Sequence, residues 1–214
     1  MRVLDGLIPP SVYLRICIPA KPLTLSCSNV AGFFFCLLER DVKIEEVIVM
    51  LNQMERDGVI TRYAIGGAVG ATFYVEPVST LDVDVFITFK PQPGSMLISP
   101  AAIFDYLKGF GCKMEDEYIV ISGWPVQFLP ASGPLLEEAL ENAVEVDVES
   151  EPARVLTAEY LAAIALQTGR AKDKARLLQF IEARALDLPS FEAVVAKHEL
   201  SQQWQTFQKQ FLSS

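Results

Sequence analysis

Ile44, Val47, Ile48, Leu51 and Met54 recur at helical spacing, with Lys43, Glu45, Glu46, Asn52 and Glu55 on the opposite side. That periodicity predicts an amphipathic helix over 42–56, stopped by Gly58. Farther along the period changes. Val83, Val85 and Ile87 alternate with Asp82, Asp84 and Thr88, the two-residue repeat of a half-buried strand over 82–89. Between the two, a short apolar strand over 61–65 leads into Gly66-Gly67 and a helix near 67–75. Pro91-Gln92-Pro93-Gly94-Ser95 reads as a loop. Ser99 caps a helix over 100–108, because proline is favoured at the first helical position.

Two strands, 118–122 and 124–129, are joined tightly at Ser122-Gly123. A helix follows over 134–142. Val144, Val146 and Val148 then alternate with Glu145, Asp147 and Glu149, an edge strand whose charges discourage further pairing. From about residue 152 the chain reads as helical, with segments over 156–167, 172–185, 190–198 and 201–212. Trp204, Phe207 and Phe211 are core-packing positions on the last of these. His198, the single histidine, is expected at the surface between Lys197 and Glu199.

Composition narrows the functional classes. The 214 residues carry 18 basic and 27 acidic side chains, for a formal net charge of −9. Sequence-independent binding to a long duplex needs neutralisation of many phosphates, so that partner is not expected. Cys17, Cys27, Cys36 and Cys112 form no C-x-x-C pair, which suits free thiols in a reducing compartment such as the cytoplasm. Residues 1–41 differ from the rest. Their prolines break any helix, and the apolar run 31–38 is too short to cross a bilayer and poorly placed for a signal peptide. They read as an N-terminal extension, with two alternatives equally open: a segment of the natural protein, or an over-long start ahead of a natural beginning at Val42.

The chemistry-bearing residues gather near the strand over 82–89. Side chains two apart on a strand share a face, with Cα atoms about 6.5–7 Å apart. Asp82 and Asp84 are therefore placed to hold divalent cations, as in two-metal phosphoryl chemistry. Gly66 and Gly67 precede a helix start, where a bare backbone can approach a phosphate; the alternative is a tight strand–helix corner. Thr80 puts a hydroxyl near the acids. Arg170, Lys172 and Lys174 are three cations in five residues of an acidic protein, suited either to an anion or to a solvated helix start, where Asp173 is favourable by itself.

A Gly-Gly at a strand-to-helix turn followed by Asp-x-Asp on the next strand resembles the DNA polymerase beta-type nucleotidyltransferase superfamily. It is similar in particular to the bacterial branch of abortive-infection (type IV toxin–antitoxin) nucleotidyltransferases, from about residue 42 to the C-terminus. The resemblance implies an α/β fold: a short mixed sheet with flanking helices, then a C-terminal helical bundle. The expected divisions are 1–41, 42–151 and 152–214.

It also implies transfer of a nucleoside monophosphate from an NTP to a hydroxyl on an RNA end, a protein or a small molecule, with an antitoxin as a further partner. Asp82 and Asp84 would be catalytic and would coordinate Mg²⁺ or Mn²⁺. Gly66, Gly67, Thr80, Arg170 and Lys172 would bind the nucleotide. Family members usually carry a third acid on a neighbouring strand, where this chain has Gln127. An amide oxygen can ligate Mg²⁺ but cannot take a proton near neutral pH, and Asp116 or Glu117 would have to substitute. A degenerate, non-catalytic binding module is therefore the alternative expectation.

Overall fold

The structure is a computed structural model that describes residues 44–77, 80, 82–89 and 101–212. The Ser99 cap, the 91–95 loop, the 1–41 extension and three of the four cysteines lie outside the described residues.

Helix α1 (Ile44–Arg56) buries Ile44, Val47, Ile48, Leu51 and Met54, the apolar stripe read from the sequence. Strand β1 (Arg62–Ile65) runs into the short α2 (Gly67–Ala71). Strand β2 (Val83–Thr88) is followed by α3 (Ala101–Gly109). Next come β3 (Lys113–Glu115), β4 (Tyr118–Ile121) and β5 (Trp124–Pro130). Helix α4 (Pro134–Glu141), the hairpin β6 (Val144–Val148) and β7 (Glu151–Val155), and helices α5 (Ala158–Thr168), α6 (Ala171–Glu182), α7 (Leu188–Lys197) and α8 (Ser201–Phe211) complete the described chain.

The strands form one mixed sheet in the order β3-β4-β5-β2-β1-β7-β6. Strand β2 lies antiparallel to β1 and parallel to β5, and β1 is parallel to β7. The expected edge strand is indeed the outermost one, β6. Two strands differ from expectation. β3 is short and fully exposed, so it lacks a buried repeat to read. β7 carries Pro152 as its second residue and continues in the sheet to Val155, past the residue where the helical part is expected to begin. Its hairpin turns on Glu149 and Ser150, both with positive φ of 50° and 78°. Such a turn normally announces itself with Asn-Gly or Asp-Gly. The 67–75 helix also stops early, at Ala71.

Alternation along β2 divides the molecule. Val83, Val85 and Ile87 join the core under α1 and α3, whereas Phe86 joins the core formed with α4 and the C-terminal helices. Asp84 shares the Phe86 face, because side chains two apart on a strand point the same way. The site thus lies on the sheet face that the C-terminal helices cover. Among the described residues no helix is long and apolar enough to cross a membrane.

Candidate functional site

Strand pairing builds the site from the sheet outward. The Gly66 N–H donates to the Asp84 carbonyl oxygen at 2.9 Å, fixing the end of β1 to β2. That amide is therefore engaged in the sheet. Gly67 has φ +58°, a conformation that favours glycine. A Cβ there would overlap the Asp84 carboxylate, with Cγ only 2.7 Å away. The carboxylate therefore rests on bare backbone. At Gly66 a Cβ would meet the Phe86 ring, 2.8 Å from Cδ2, so this glycine serves close packing of the turn on β2.

Asp82 precedes β2 and is half-buried. The Thr80 hydroxyl, itself buried, donates toward the Asp82 carbonyl at 3.2 Å and its Oδ1 at 3.1 Å. Gln127 stands in register with Asp84 across the parallel β2–β5 ladder, so both side chains project from the same face. Asp82, Asp84, Thr80, Gln127 and Gly67 are therefore gathered at one place. Asp116 and Glu117 form the turn of the β3–β4 hairpin and are exposed, with Asp116 at φ 55°.

The Asp84 pKa lies above its ordinary value. Burial is the main cause, and repulsion from the Asp82 carboxylate adds to it. Three cations of α6 and its N-terminal flank oppose the shift: Arg176 most, then Lys172, then Arg170. The segment predicted from the sequence is thus brought to the acids. Arg170 faces two ways, since its guanidinium also pairs with buried Asp173 at 2.6 Å and 3.3 Å. That hydrogen bond is the chief reason its pKa is raised. Lys172 and Arg170 are exposed.

Arg176 lies beyond the cation cluster that the sequence marks at the start of this helix. Four residues after Lys172, it shares that side chain's helical face. Its Nε is buried and has no hydrogen-bond partner among the described residues. Gln179, farther along the same face, donates to the Glu76 carbonyl at 2.9 Å and anchors α6 to the loop after α2. A buried guanidinium N–H without an acceptor is costly unless an anion completes it. Lys174 points elsewhere, into a cavity of about 420 Å³ that it lines with Leu177, Gln202 and Phe207. Asp82 and Asp84 line neither this cavity nor a second one of about 310 Å³ around Tyr63 and Arg154.

Among the described residues no group of three or more His, Cys, Asp or Glu is arranged to hold a metal ion. Two carboxylates and an amide oxygen are nevertheless a hard, all-oxygen donor set. Mg²⁺ is commonly held by one or two carboxylates together with substrate phosphates and water, so the set suits a cation that arrives with a nucleotide.

His198 is a correction. Its side chain is 6% exposed, with Nε2 2.9 Å from Glu138 Oε2. The end of α7 turns it inward onto α4, where Glu138 also accepts from Tyr160 at 2.8 Å and pairs with Lys197 at 2.8 Å.

No protein-family model and no curated protein matches this chain. Solved structures do. A crystal structure of ANT(2'')-Ia in complex with adenylyl-2''-tobramycin is 12% identical, covering 73% of this chain and 98% of that one, with a TM-score of 0.45. A solution structure of the antibiotic-resistance factor ANT(2'')-Ia is 11% identical, covering 78% and 96%, with a TM-score of 0.45. An antigenic nucleotidyltransferase-like protein from Paracoccidioides brasiliensis is 13% identical, covering 78% and 94%, with a TM-score of 0.43.

Proposed function

We propose that the chain is a nucleotidyltransferase-like enzyme that transfers a nucleoside monophosphate from an NTP to a hydroxyl acceptor. One observation carries this reading. Asp84 on β2, with Asp82 just before the strand, lies within electrostatic reach of Arg176 and Lys172 on the covering helix and of Arg170 at its start, so acidic and basic side chains converge at one place of an acidic protein. A cation-bearing triphosphate fits between them. Asp82 and Asp84, with the Gln127 amide oxygen, would hold Mg²⁺ or Mn²⁺, which when bound balances phosphate charge and draws the two carboxylates together.

The residues of the chain supply position and field. Arg176, Lys172 and Arg170 meet the β- and γ-phosphates, where charge accumulates as the α-phosphorus–oxygen bond breaks and pyrophosphate leaves. The bare backbone at Gly67 lets the nucleotide approach the carboxylates closely, and Thr80 keeps Asp82 oriented. The acceptor oxygen forms the new bond to the α-phosphorus. Its proton passes to water, because Gln127 offers no base. Catalysis then comes from positioning and charge stabilisation.

The acceptor class includes an RNA end, a protein side chain or a small-molecule hydroxyl. A toxin-type role with an antitoxin partner is the finer form of the same proposal, and the cytoplasm is the compartment that supplies NTP. The test is incubation with α-labelled NTPs, Mg²⁺ or Mn²⁺, and total RNA or lysate. Label transfer that depends on Asp84 supports the enzyme. Gln127 specifically favours a second reading, a binding module that holds nucleotide without turnover, and nucleotide binding without label transfer would select it.

A further inference from the structure

Gln127 is in register with Asp84 and adds no charge to the pair, so what holds Asp82 lies elsewhere. Asp82 lies outside the β2 ladder, before Val83, so sheet hydrogen bonds do not fix it. Thr80 fastens one side of it. The other side looks toward β4. Strand registers place Ile119 opposite Val126 and Gln127 opposite Asp84. Tyr118 therefore enters the same row of the sheet as Gln127 and Asp84, on the face they share. Burial raises the phenol's pKa, and the neighbouring Asp82 and Glu117 carboxylates, to which its hydroxyl can donate, raise it further. A phenol has one proton to donate, so it can serve only one of the two acids at a time.

We propose that Tyr118 is a positioning residue of the Asp82–Asp84 site: its hydroxyl, projecting beside Gln127, holds the Asp82 carboxylate in place for a cation-bound triphosphate. Donation to one carboxylate oxygen leaves that group's remaining lone pairs available to a cation. Thr80, just before β2, and Tyr118, on β4, would then hold Asp82 from two parts of the chain. Glu117, on the exposed hairpin turn, competes for the phenol and so tunes how firmly Asp82 is held.

The inference rests on the nucleotide-binding reading above, and the experiment separates the two. Full-length parent, Tyr118→Phe and a control, Tyr106→Phe, are titrated with a non-hydrolysable NTP analogue over a range of Mg²⁺ and with EDTA. Tyr106 is the control because its hydroxyl bonds to Asp57 at 2.6 Å, away from the site. Tyr118→Phe should need about tenfold more Mg²⁺ for half-maximal nucleotide binding, as loss of one hydrogen bond to a charged group implies. Its weak cation-free binding through Arg176 and Lys172 should match the parent, and Tyr106→Phe should match it throughout. Glu117→Gln should shift the Mg²⁺ requirement the other way, by removing the competitor.

Several outcomes would overturn the inference. If Tyr118→Phe and parent share one Mg²⁺ dependence, the phenol does not position Asp82. If nucleotide binding falls equally with and without Mg²⁺, Tyr118 supports the fold and not the carboxylate. A parent that binds no nucleotide with Mg²⁺ sinks the nucleotide reading itself, and this inference with it.

Discussion

At Gly67 the backbone and a carboxylate compete for one volume. Its φ of +58° and the contact with Asp84 each exclude a side chain. Gly67→Ala should lower unfolding free energy by about 1–3 kcal/mol, from left-handed strain and displacement of the carboxylate. It should also weaken nucleotide binding, checked by urea unfolding and titration with Mg²⁺-NTP. Gln127 makes the opposite test. It is half-buried in register with Asp84, so Gln127→Glu would put a third carboxylate beside the pair. Without metal the new charge should destabilise the fold by repulsion. With Mg²⁺ and an acceptor it should raise the transfer rate by up to about 10²–10⁴-fold if a missing base limits chemistry. An unchanged rate with intact folding would show that proton removal is not limiting. The pair Asp82 and Asp84 was legible in the sequence because strand alternation dictates which side chains share a face. Thr80 was legible only as a nearby hydroxyl.

Helix α6 joins the two parts of the proposed site, and its faces behave differently. Asp173, Leu177 and Phe180 are buried, Lys172 and Arg176 favour the ionised form of Asp84, and Lys174 lines a separate cavity. Lys172→Ala and Arg176→Ala should each weaken NTP binding roughly ten- to hundredfold while affecting NMP much less. The effect of Arg176→Ala should be the less sensitive to salt, because a partly buried charge is screened less than the exposed Lys172. Isothermal titration at two ionic strengths decides it; equal losses for NTP and NMP would remove the cations from the β- and γ-phosphates. Arg176 was readable in principle, as the i+4 neighbour of Lys172, but nothing in a single helix says which face meets a strand folded more than eighty residues earlier. The helices were legible because their apolar stripes are long and regular. Strands β3 and β7 were not, since one is exposed throughout and the other carries proline and pairs through Val155 alone with β1. His198 was misplaced for the related reason that burial at a helix end depends on what α4 presents to it.

On the scale of the whole molecule, two carboxylates set opposite pH dependences on the two sides of one architecture. Glu138 joins α4 to α5 and α7. Its pKa lies below the ordinary value, chiefly through Lys197 and then Tyr160, with a smaller contribution from His198. Its contribution to stability is therefore present above the ordinary value of 4.5 and is lost as pH falls through the depressed one. Asp84 runs the other way. Its folded-state pKa is raised above 3.8, so its protonated form favours folding at low pH and that contribution disappears as pH rises through the raised value. At neutral pH the buried carboxylate is a cost that a bound cation would remove. Asp84→Asn should thus be more stable than the parent at neutral pH, with the gain vanishing in acid, and it should lose Mg²⁺-dependent nucleotide binding. Glu138→Gln should be less stable at neutral pH by about 1 kcal/mol, discounted for partial solvent screening, with the deficit shrinking in acid. Unfolding curves from about pH 3 to 8 separate the two, since the variants must diverge from the parent in opposite directions as pH rises. Addition of Mg²⁺-NTP should stabilise the parent and leave Asp84→Asn where it was, because only a ligand that binds the folded state shifts the equilibrium. If Asp84→Asn is instead destabilised at neutral pH, that carboxylate is a structural hydrogen-bonding group and the cleft facing Arg176 is not built around its charge.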